Sequence, residues 1–232
     1  MTAPDDLDAA RITSLLATRR YGRSLQVLSL TDSTNDDARR AALGGANSGH
    51  TVVADRQQAG RGSQGRVWSS PGGLDLYLSI VDRPPLSIAA LPPLTLAVGL
   101  GVASAVDALL GATLPGARVK WPNDVWLDGK KCAGVLVEAS SQGEQLQSLV
   151  IGIGLNLNRL AFEGELAESA TSLRAHQRSG QPLDRGAALV TVLAHVEDWV
   201  DRFVAEGAAS VAAALDVRLA MQIGRASCRE RV

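Results

Sequence analysis

The chain has 232 residues with 23 Lys and Arg, 24 Asp and Glu, and a formal net charge of -1. This balance argues against a general nucleic-acid-binding protein, which usually carries a basic excess. The two cysteines, Cys132 and Cys228, form no disulfide framework, and the acidic start MTAPDD lacks the features of a signal peptide. We therefore expect a cytoplasmic protein with a core of aliphatic residues.

The first third of the chain alternates helix and strand patterns. A short amphipathic helix is predicted over residues 5–19, with Leu7, Ile12, Leu15 and Leu16 facing inward. A strand follows at 25–31, and the run of capping residues DSTN at 32–35 predicts a helix that continues to about Leu43. Strands are predicted at 51–55 and 74–81.

The rest of the chain begins with the most apolar run, residues 94–110. Pro92 and Pro93 precede it and Asp107 interrupts it, so a buried helix is favoured over a membrane span. Further predicted elements are strand pieces at 118–121 and 125–127, a DG hairpin turn at 128–129, antiparallel strands at 131–139 and 147–158, and helices at 183–205 and 210–221. Together they indicate an α+β domain with a mixed, largely antiparallel sheet flanked by helices.

The last ten residues differ in character from the rest of the chain. Residues 223–232 carry three arginines and few apolar side chains. We predict one domain over residues 1–222, followed by a tail at 223–232 that is either not native to the protein or disordered.

The segment RQQAGRGSQGRVW at 56–68 is the most informative part of the sequence. It holds three arginines, and no acidic residue occurs between Arg56 and Leu74. Glycines allow backbone N–H groups to approach a ligand closely, and arginine suits carboxylate and phosphate oxygens. The segment predicts an anion-binding loop, although a solvated surface turn has the same composition.

A second motif, KWPND at 120–124, is followed by DGKKCAG at 128–134. Lys131 opens the apolar run 132–137, and a lysine there is costly unless an anion pairs with it. Lys130 is expected to face solvent. The alternative is a plain surface hairpin with solvated lysines.

A third motif, IGIGLNLN at 151–158, places glycines at alternate positions of a predicted strand. Such glycines often mean that another group approaches the backbone on one face. Asn156 could offer its amide to a nucleobase, whereas tight packing between strand and helix explains the glycines equally well.

These motifs resemble, in order and spacing, those of short, monofunctional bacterial biotin–protein ligases. The resemblance covers about residues 29–158 and includes DSTN, QQAGRG, GRVW, KWPND, KCAG and GIGLN. It implies a fold like that of class II aminoacyl-tRNA synthetases and lipoate ligases. It also implies ATP and biotin as substrates, Mg²⁺, a biotinyl-5′-AMP intermediate, and transfer of biotin to a lysine of a biotin carboxyl carrier domain.

The resemblance assigns roles to individual residues. Lys131 and Arg61 would be catalytic. The residues implied for biotin are Ser33, Thr34, Asn35, Gln57, Arg61, Gly62, Ser63, Lys131 and Gly134. Those implied for the nucleotide are Arg66, Trp68, Asn123, Asp124 and Asn156. No metal-ligand cluster of the protein's own is expected, and no nucleophile is needed because the intermediate stays noncovalent.

Three departures from the family pattern qualify these expectations. Position 63 is Ser, where many members place a second arginine, so we expect a weaker grip on the adenylate. About 25 residues precede the first strand, too few for the winged DNA-binding domain of bifunctional repressors, so we expect no nucleic-acid partner. The small β-barrel-like domain that usually ends the family's chains is not recognisable.

Three functions remain open from the sequence. The first is a biotin ligase that acts on a carrier domain. For this function we expect no membrane partner, and a homodimer is one possible oligomeric state. The second is a lipoate–protein ligase, which shares the fold and the adenylation chemistry. The third is a module that binds biotin or biotinyl-AMP without transferring it.

Overall fold

A seven-stranded sheet forms the centre of the fold in the computed structural model, which describes residues 6–112, 116–143 and 145–219. The strands are β1 (Leu25–Thr31), β2 (Thr51–Gln57), β3 (Leu76–Asp82), β4 (Arg118–Lys120), β5 (Asp124–Leu127), β6 (Lys130–Gln142) and β7 (Gln145–Leu155). Their order is β1-β2-β3-β7-β6-β5-β4. Only β1 and β2 pair in parallel among these strands, so the predicted mixed, largely antiparallel sheet is confirmed.

Helices cover both faces of this sheet. They are α1 (Ala9–Leu15), α2 (Thr34–Leu43), α3 (Leu91–Leu109), α4 (Leu166–Ser169), α5 (Leu173–His176), α6 (Arg185–Glu206) and α7 (Ala208–Arg218). The two short helices α4 and α5 were not predicted from the sequence. On one face, Ala38 of α2 packs against Val52, Val81 and Val150 of the sheet.

The larger core lies on the opposite face, beneath α3 and α6. Helix α3 is apolar and long enough to cross a membrane by length and composition. It instead packs against α6 so closely that a Cβ at Gly101 would lie 2.8 Å from the Cα of Val196. The prediction of a buried helix is confirmed, with its start moved back to Leu91 so that Pro92 and Pro93 occupy the first turn.

The first helix is shorter than predicted. Asp8 accepts a hydrogen bond from the Arg11 N–H at 2.6 Å and caps α1 at its start. After Leu15, the backbone turns away because the buried carboxylate of Glu197 takes the N–H groups of residues 19–21 at 2.6 to 3.0 Å. The prediction of helix over 5–19 is therefore wrong at both ends, and Leu15 is exposed.

Other boundaries shift by a few residues. The strand predicted at 118–121 ends at Lys120, before the turn that contains Pro122. The last helix ends at Arg218. Met221 and the predicted tail at 223–232 lie outside the described residues.

Candidate active site

A first pocket opens on the face of the sheet that carries α2. It encloses about 440 Å³, including its open mouth. Its floor consists of β6 and β7, where Gly134 pairs with Gly154 and Leu136 pairs with Gly152. A Cβ at Gly152 would collide with the side-chain amide of Asn35, so this glycine makes room for a polar group of the pocket.

A chain of hydrogen bonds fixes the polar end of the first pocket. Gln57 Oε1 accepts from the backbone N–H of Thr34 at 2.9 Å and from its hydroxyl at 3.1 Å. The Ser79 hydroxyl lies 2.8 Å from Thr34 Oγ1 and 2.6 Å from Asn35 Oδ1. Because Thr34 and Asn35 are buried and tied together, they present a fixed set of donors and acceptors.

The start of α2 contributes directly to this end of the pocket. Ser33 occupies the N-cap position, but its side chain makes no capping hydrogen bond. The first backbone donor of the helix, at Thr34, is satisfied instead by the Gln57 side chain. The predicted helix start is confirmed, and buried Ser33 lines the pocket rather than capping the helix.

The arginine-rich loop folds back on itself above the sheet. Arg61 and Val67 form an isolated antiparallel bridge, and the Trp68 N–H donates to the Gly60 carbonyl at 2.8 Å. A Cβ at Gly60 would lie 2.5 Å from the Trp68 carbonyl oxygen, so only glycine permits this close approach. The loop therefore returns Trp68 to the sheet next to the pocket.

The indole of Trp68 packs against two glycines of the sheet. A Cβ at Gly154 would be 2.5 Å from the indole Nε1, and a Cβ at Gly134 would be 2.9 Å from Cζ3. The alternating glycines of β7 thus admit two side chains, Asn35 at Gly152 and Trp68 at Gly154. The sequence offered two explanations for these glycines, close approach of another group to the backbone and tight packing. Both hold in part, because Asn35 and Trp68 pack against the glycines and also line the pocket.

A β-bulge brings Lys131 to the same face. The partner of β5 jumps from Ala133, opposite Val125, to Lys131, opposite Trp126. Cys132 and Ala133 are consecutive and both fully buried, whereas the Lys131 ammonium comes within 3.3 Å of the Cβ position of Gly134. The bulge re-aims Lys131 out of the core and into the site.

Lys131 has an anionic partner, as its position next to an apolar run requires. Its Nζ lies 2.6 Å from Asp124 Oδ1 and 5.2 Å from the centroid of the Trp68 ring. Its side chain is one-quarter exposed. The partner anion therefore comes from the KWPND motif, and an incoming ligand would compete with it for the ammonium.

A second and larger pocket, of about 1060 Å³ including its mouth, adjoins the first. Among the residues implied for the nucleotide, it is lined by Arg66, Trp68, Asp124 and Asn156. Asn156 is buried and donates its amide to the Thr171 carbonyl at 3.0 Å. The fifth residue, Asn123, lies in the first pocket, where its amide donates to the Val135 carbonyl at 2.8 Å.

The two pockets share one wall. Gly62, Ser63, Trp68 and Lys131 line both of them. A group held in the first pocket and a group held in the second can therefore meet beside the Lys131 ammonium. This wall combines a cation, loop backbone and an aromatic ring.

Arg61 lines the first pocket but is held by carboxylates of the protein. Its guanidinium lies 2.8 Å from Asp36 Oδ1 and 3.3 Å from Glu138 Oε2. Its side chain is about two-fifths exposed, at 41%. The guanidinium can exchange these partners for a ligand anion at small cost, because half-exposed ion pairs contribute little free energy.

Sequence reasoning missed several residues of the site. Lys120 lies over the Trp126 ring at 4.0 Å in the second pocket, and Arg159 packs on Phe162 at 5.0 Å from its centroid. Arg159 also joins buried Asp75 at 2.5 Å and donates to the Ser69 carbonyl, which fastens the loop to the end of β7. Lys120 belongs to KWPND and could have been found, whereas Arg159 had no local signal.

Cys132, which follows Lys131 in the sequence, is a fully buried thiol. Burial raises the pKa of Cys132 to about 12, so the thiolate is scarce at neutral pH. Within the described ranges, no three His, Cys, Asp or Glu side chains are arranged to hold a metal ion.

Comparison with known proteins identifies the family. The model of the biotin/lipoate A/B protein ligase family matches residues 27–156. The chain belongs to this family. The family resemblance and the fold predicted from the sequence are confirmed. The matched region contains the first two motifs, the third motif as far as Asn156, and the wall shared by the two pockets.

Members of the biotin/lipoate A/B protein ligase family with curated names support the biotin branch. The chain is 35% identical over 192 residues to the bifunctional ligase/repressor BirA of Bacillus spizizenii, covering 82% of this chain and 58% of that protein. It is 40% identical over 147 residues to the biotin–[acetyl-CoA-carboxylase] ligase of Paracoccus denitrificans, covering 62% and 59%. The chain thus spans little more than half the length of these relatives.

Solved structures agree with the sheet and its helices. The biotin protein ligase from Aquifex aeolicus, solved in complex with biotin and ATP, superposes with a TM-score of 0.72 at 31% identity, covering 85% of this chain and 79% of that one. The biotin protein ligase from Leishmania major in complex with biotinyl-5-AMP gives 0.67 at 25% identity, covering 90% and 87%. The fold is therefore that of the biotin protein ligases, which is like that of class II aminoacyl-tRNA synthetases.

Proposed function

We propose that this chain is the catalytic part of a biotin–protein ligase that condenses biotin with ATP. The observation that carries the proposal is the wall shared by the two pockets, formed by Gly62, Ser63, Trp68 and Lys131. Joining a carboxylate to an α-phosphate brings two anions together, so cations must stand where they meet. Lys131 lies on this wall, and Arg61 lines the first pocket, where it is held by Asp36 and Glu138.

The first pocket would hold biotin. Its polar end, with Ser33, Thr34, Asn35 and Gln57, suits a ureido ring, which needs matched donors and acceptors in fixed positions. Gly134 packs against the Trp68 ring and Lys131, so a ring system bound on the sheet would lie beside these two side chains. The carboxylate end would then point toward Gly62, Ser63 and the two cations.

The second pocket would hold the nucleotide. Arg66, Asp124 and Asn156 line it, and Trp68 forms its boundary with the first pocket. The Lys131 ammonium would break its ion pair with Asp124. It would then bind the biotin carboxylate and the bridging oxygen as negative charge develops on them. Arg61 would likewise exchange Asp36 and Glu138 for the same anionic group. This exchange would lower the repulsion between the biotin carboxylate and the phosphate.

Mg²⁺ fits this site as part of the ATP substrate. Asp124 and Glu165 are carboxylates that line the second pocket, and Mg²⁺ at nucleotide sites needs only one or two carboxylates besides phosphate oxygens. Bound there, the ion would neutralise charge on the phosphates. Two carboxylates beside the nucleotide are enough for this role, so Mg²⁺ would not need a cluster of three protein ligands.

The second step would transfer biotin to a lysine of a biotin carboxyl carrier domain. That step needs no nucleophile from the ligase, because the mixed anhydride is already activated. We propose the cytoplasm as the location, where ATP and a carboxylase domain would be available together.

The proposal is tested with the purified chain, ATP, Mg²⁺, biotin and a carrier domain, followed by detection with streptavidin. Biotin-dependent exchange of labelled pyrophosphate into ATP measures the first step separately. Labelling of the carrier supports the ligase. Lipoyl transfer in a parallel assay, with lipoate in place of biotin and a lipoyl acceptor domain, would instead support a lipoate ligase. Biotin binding without exchange would reduce the chain to a binding module.

A further inference from the structure

We infer that Glu138 is a positioning residue that holds the Asn35 amide in its binding orientation and retains Arg61 until an anion arrives. This inference rests on the proposed function. Glu138 lies on β6, two residues beyond Leu136 and on the same face of the sheet. It does not itself line the first pocket, whereas Asn35 and Arg61 both do.

One oxygen of Glu138 gathers donors from three side chains. Its Oε2 accepts from Asn35 Nδ2 at 2.7 Å and lies 2.8 Å from Arg39 and 3.3 Å from Arg61. The carboxylate is about 29% exposed, so these contacts are only partly screened by water. Glu138 therefore connects the ureido end of the pocket with the arginine loop.

The first consequence concerns the orientation of Asn35. A carboxylate only accepts hydrogen bonds, so the NH₂ group of Asn35 must face Glu138. The amide oxygen then faces the Ser79 hydroxyl, at 2.6 Å. Glu138 thus fixes the orientation of the Asn35 amide. Recognition of a ureido group in the pocket depends on this orientation, because it determines where the donor and the acceptor lie.

The second consequence concerns Arg61. Asp36 and Glu138 hold its guanidinium from two sides, and Arg39 bridges the same two carboxylates at 2.6 and 2.8 Å. A biotin carboxylate must compete with Asp36 and Glu138 for the Arg61 guanidinium. Glu138 therefore favours Asn35 binding to the ligand and opposes early capture of the anion by Arg61.

The test separates these two effects by comparing biotin with biotinamide, which lacks the negative charge. Glu138→Gln keeps an oxygen acceptor for Asn35 but removes the charge that holds Arg61. Calorimetry should show biotin affinity rising about two- to fivefold relative to biotinamide, the range of a half-exposed ion pair. Asp36→Asn should shift the ratio in the same direction, and Glu168→Gln on the exposed helix α4 should not shift it.

Glu138→Ala should weaken biotinamide about tenfold, because Asn35 loses its acceptor, and should weaken biotin less, because Arg61 is released by the same change; Glu138→Gln should restore the affinity for biotinamide. In an Arg61→Ala background, the change in ratio caused by Glu138→Gln should vanish. A ratio change that persists without Arg61 would mean direct charge repulsion and would overturn the role in holding Arg61. Equal biotinamide affinity in Glu138→Ala and wild type would overturn the role in orienting Asn35.

The wild-type protein keeps this inference distinct from the proposed function. If it binds biotin and supports pyrophosphate exchange while the variants behave like wild type, only the inference about Glu138 fails. If the wild-type protein binds neither biotin nor biotinamide, the proposed function fails and the inference falls with it.

Discussion

Lys131 and Asp124 form an ion pair at 2.6 Å on the wall between the two pockets. The bulge at the start of β6 directs the lysine to this wall, and the KWPND motif supplies the aspartate. The ion pair holds the Lys131 ammonium beside the position where the biotin carboxylate and the α-phosphate would meet. This arrangement makes the role of Lys131 open to direct measurement.

Lys131→Ala should lower biotinyl-AMP formation about 100- to 1000-fold, because a preorganised cation is lost at the site of charge development. The fold should remain intact, since the lysine lies on the site face rather than in the core. Pyrophosphate exchange measures the activity and thermal unfolding checks the fold. The exposed neighbour Lys130→Ala is the matched control and should retain activity; near-normal exchange by Lys131→Ala would remove this lysine from the chemistry.

Arg61→Ala should weaken binding of a stable biotinyl-AMP analogue more than binding of biotin. Each ligand carries one negative charge, on the carboxylate of biotin or on the phosphate of the adenylate, and in the adenylate that charge would be fixed at the shared wall by groups bound in both pockets, so loss of the guanidinium costs more there. Calorimetry with the two ligands measures the difference. Equal losses for both ligands would contradict the assignment of Arg61 to the anionic group.

Ser63→Arg should slow the release of biotinyl-AMP. Ser63 lines both pockets and its hydroxyl accepts from Arg66 at 2.9 Å, so an arginine there adds a cation to the shared wall. Release is followed by rapid filtration of protein loaded with labelled intermediate. Identical release rates for the two proteins would show that position 63 does not control retention.

Gly154→Ala should weaken both biotin and ATP binding, because the new methyl group would displace the Trp68 ring that borders both pockets. The loss should exceed that in Gln147→Ala, a change at an exposed position of the same strand. Calorimetry with each ligand gives the affinities. Unchanged binding of both ligands would mean that Trp68 can move without consequence for the site.

Cys132 should resist alkylation in the folded protein. Burial raises the pKa of its thiol to about 12, so the reactive thiolate stays rare until the pH approaches that value. Labelling with iodoacetamide at pH 8, with and without denaturant, and peptide mass spectrometry measure the reaction at this residue. Fast labelling of Cys132 in native buffer would contradict its burial.

Local patterns predicted much of the fold. The capping run at 32–35 located the start of α2 at Thr34, and alternation located most strands. The end of α1 could not be predicted, because it depends on Glu197, which lies 178 residues from Arg19. Propensity within residues 5–19 contains no trace of that distant carboxylate.

The site divides in the same way. The motifs indicated Lys131 and Arg61, and the loop glycines indicated close backbone approach. The partners of Arg61 came from elsewhere in the chain, since Asp36 lies 25 residues and Glu138 lies 77 residues from it. The bulge that turns Lys131 toward the pocket arises from pairing between strands, which no single segment encodes.

The roles assigned to the site residues depend on one spatial claim, that the wall shared by the pockets is where biotin meets the α-phosphate. A crystal structure of this chain with biotinyl-5′-AMP tests it most directly. The account predicts the biotinyl group beside Asn35, the adenosine in the second pocket, and the acyl phosphate within hydrogen-bond distance of Lys131 Nζ. An acyl phosphate outside the shared wall, with Lys131 still paired to Asp124, would contradict it.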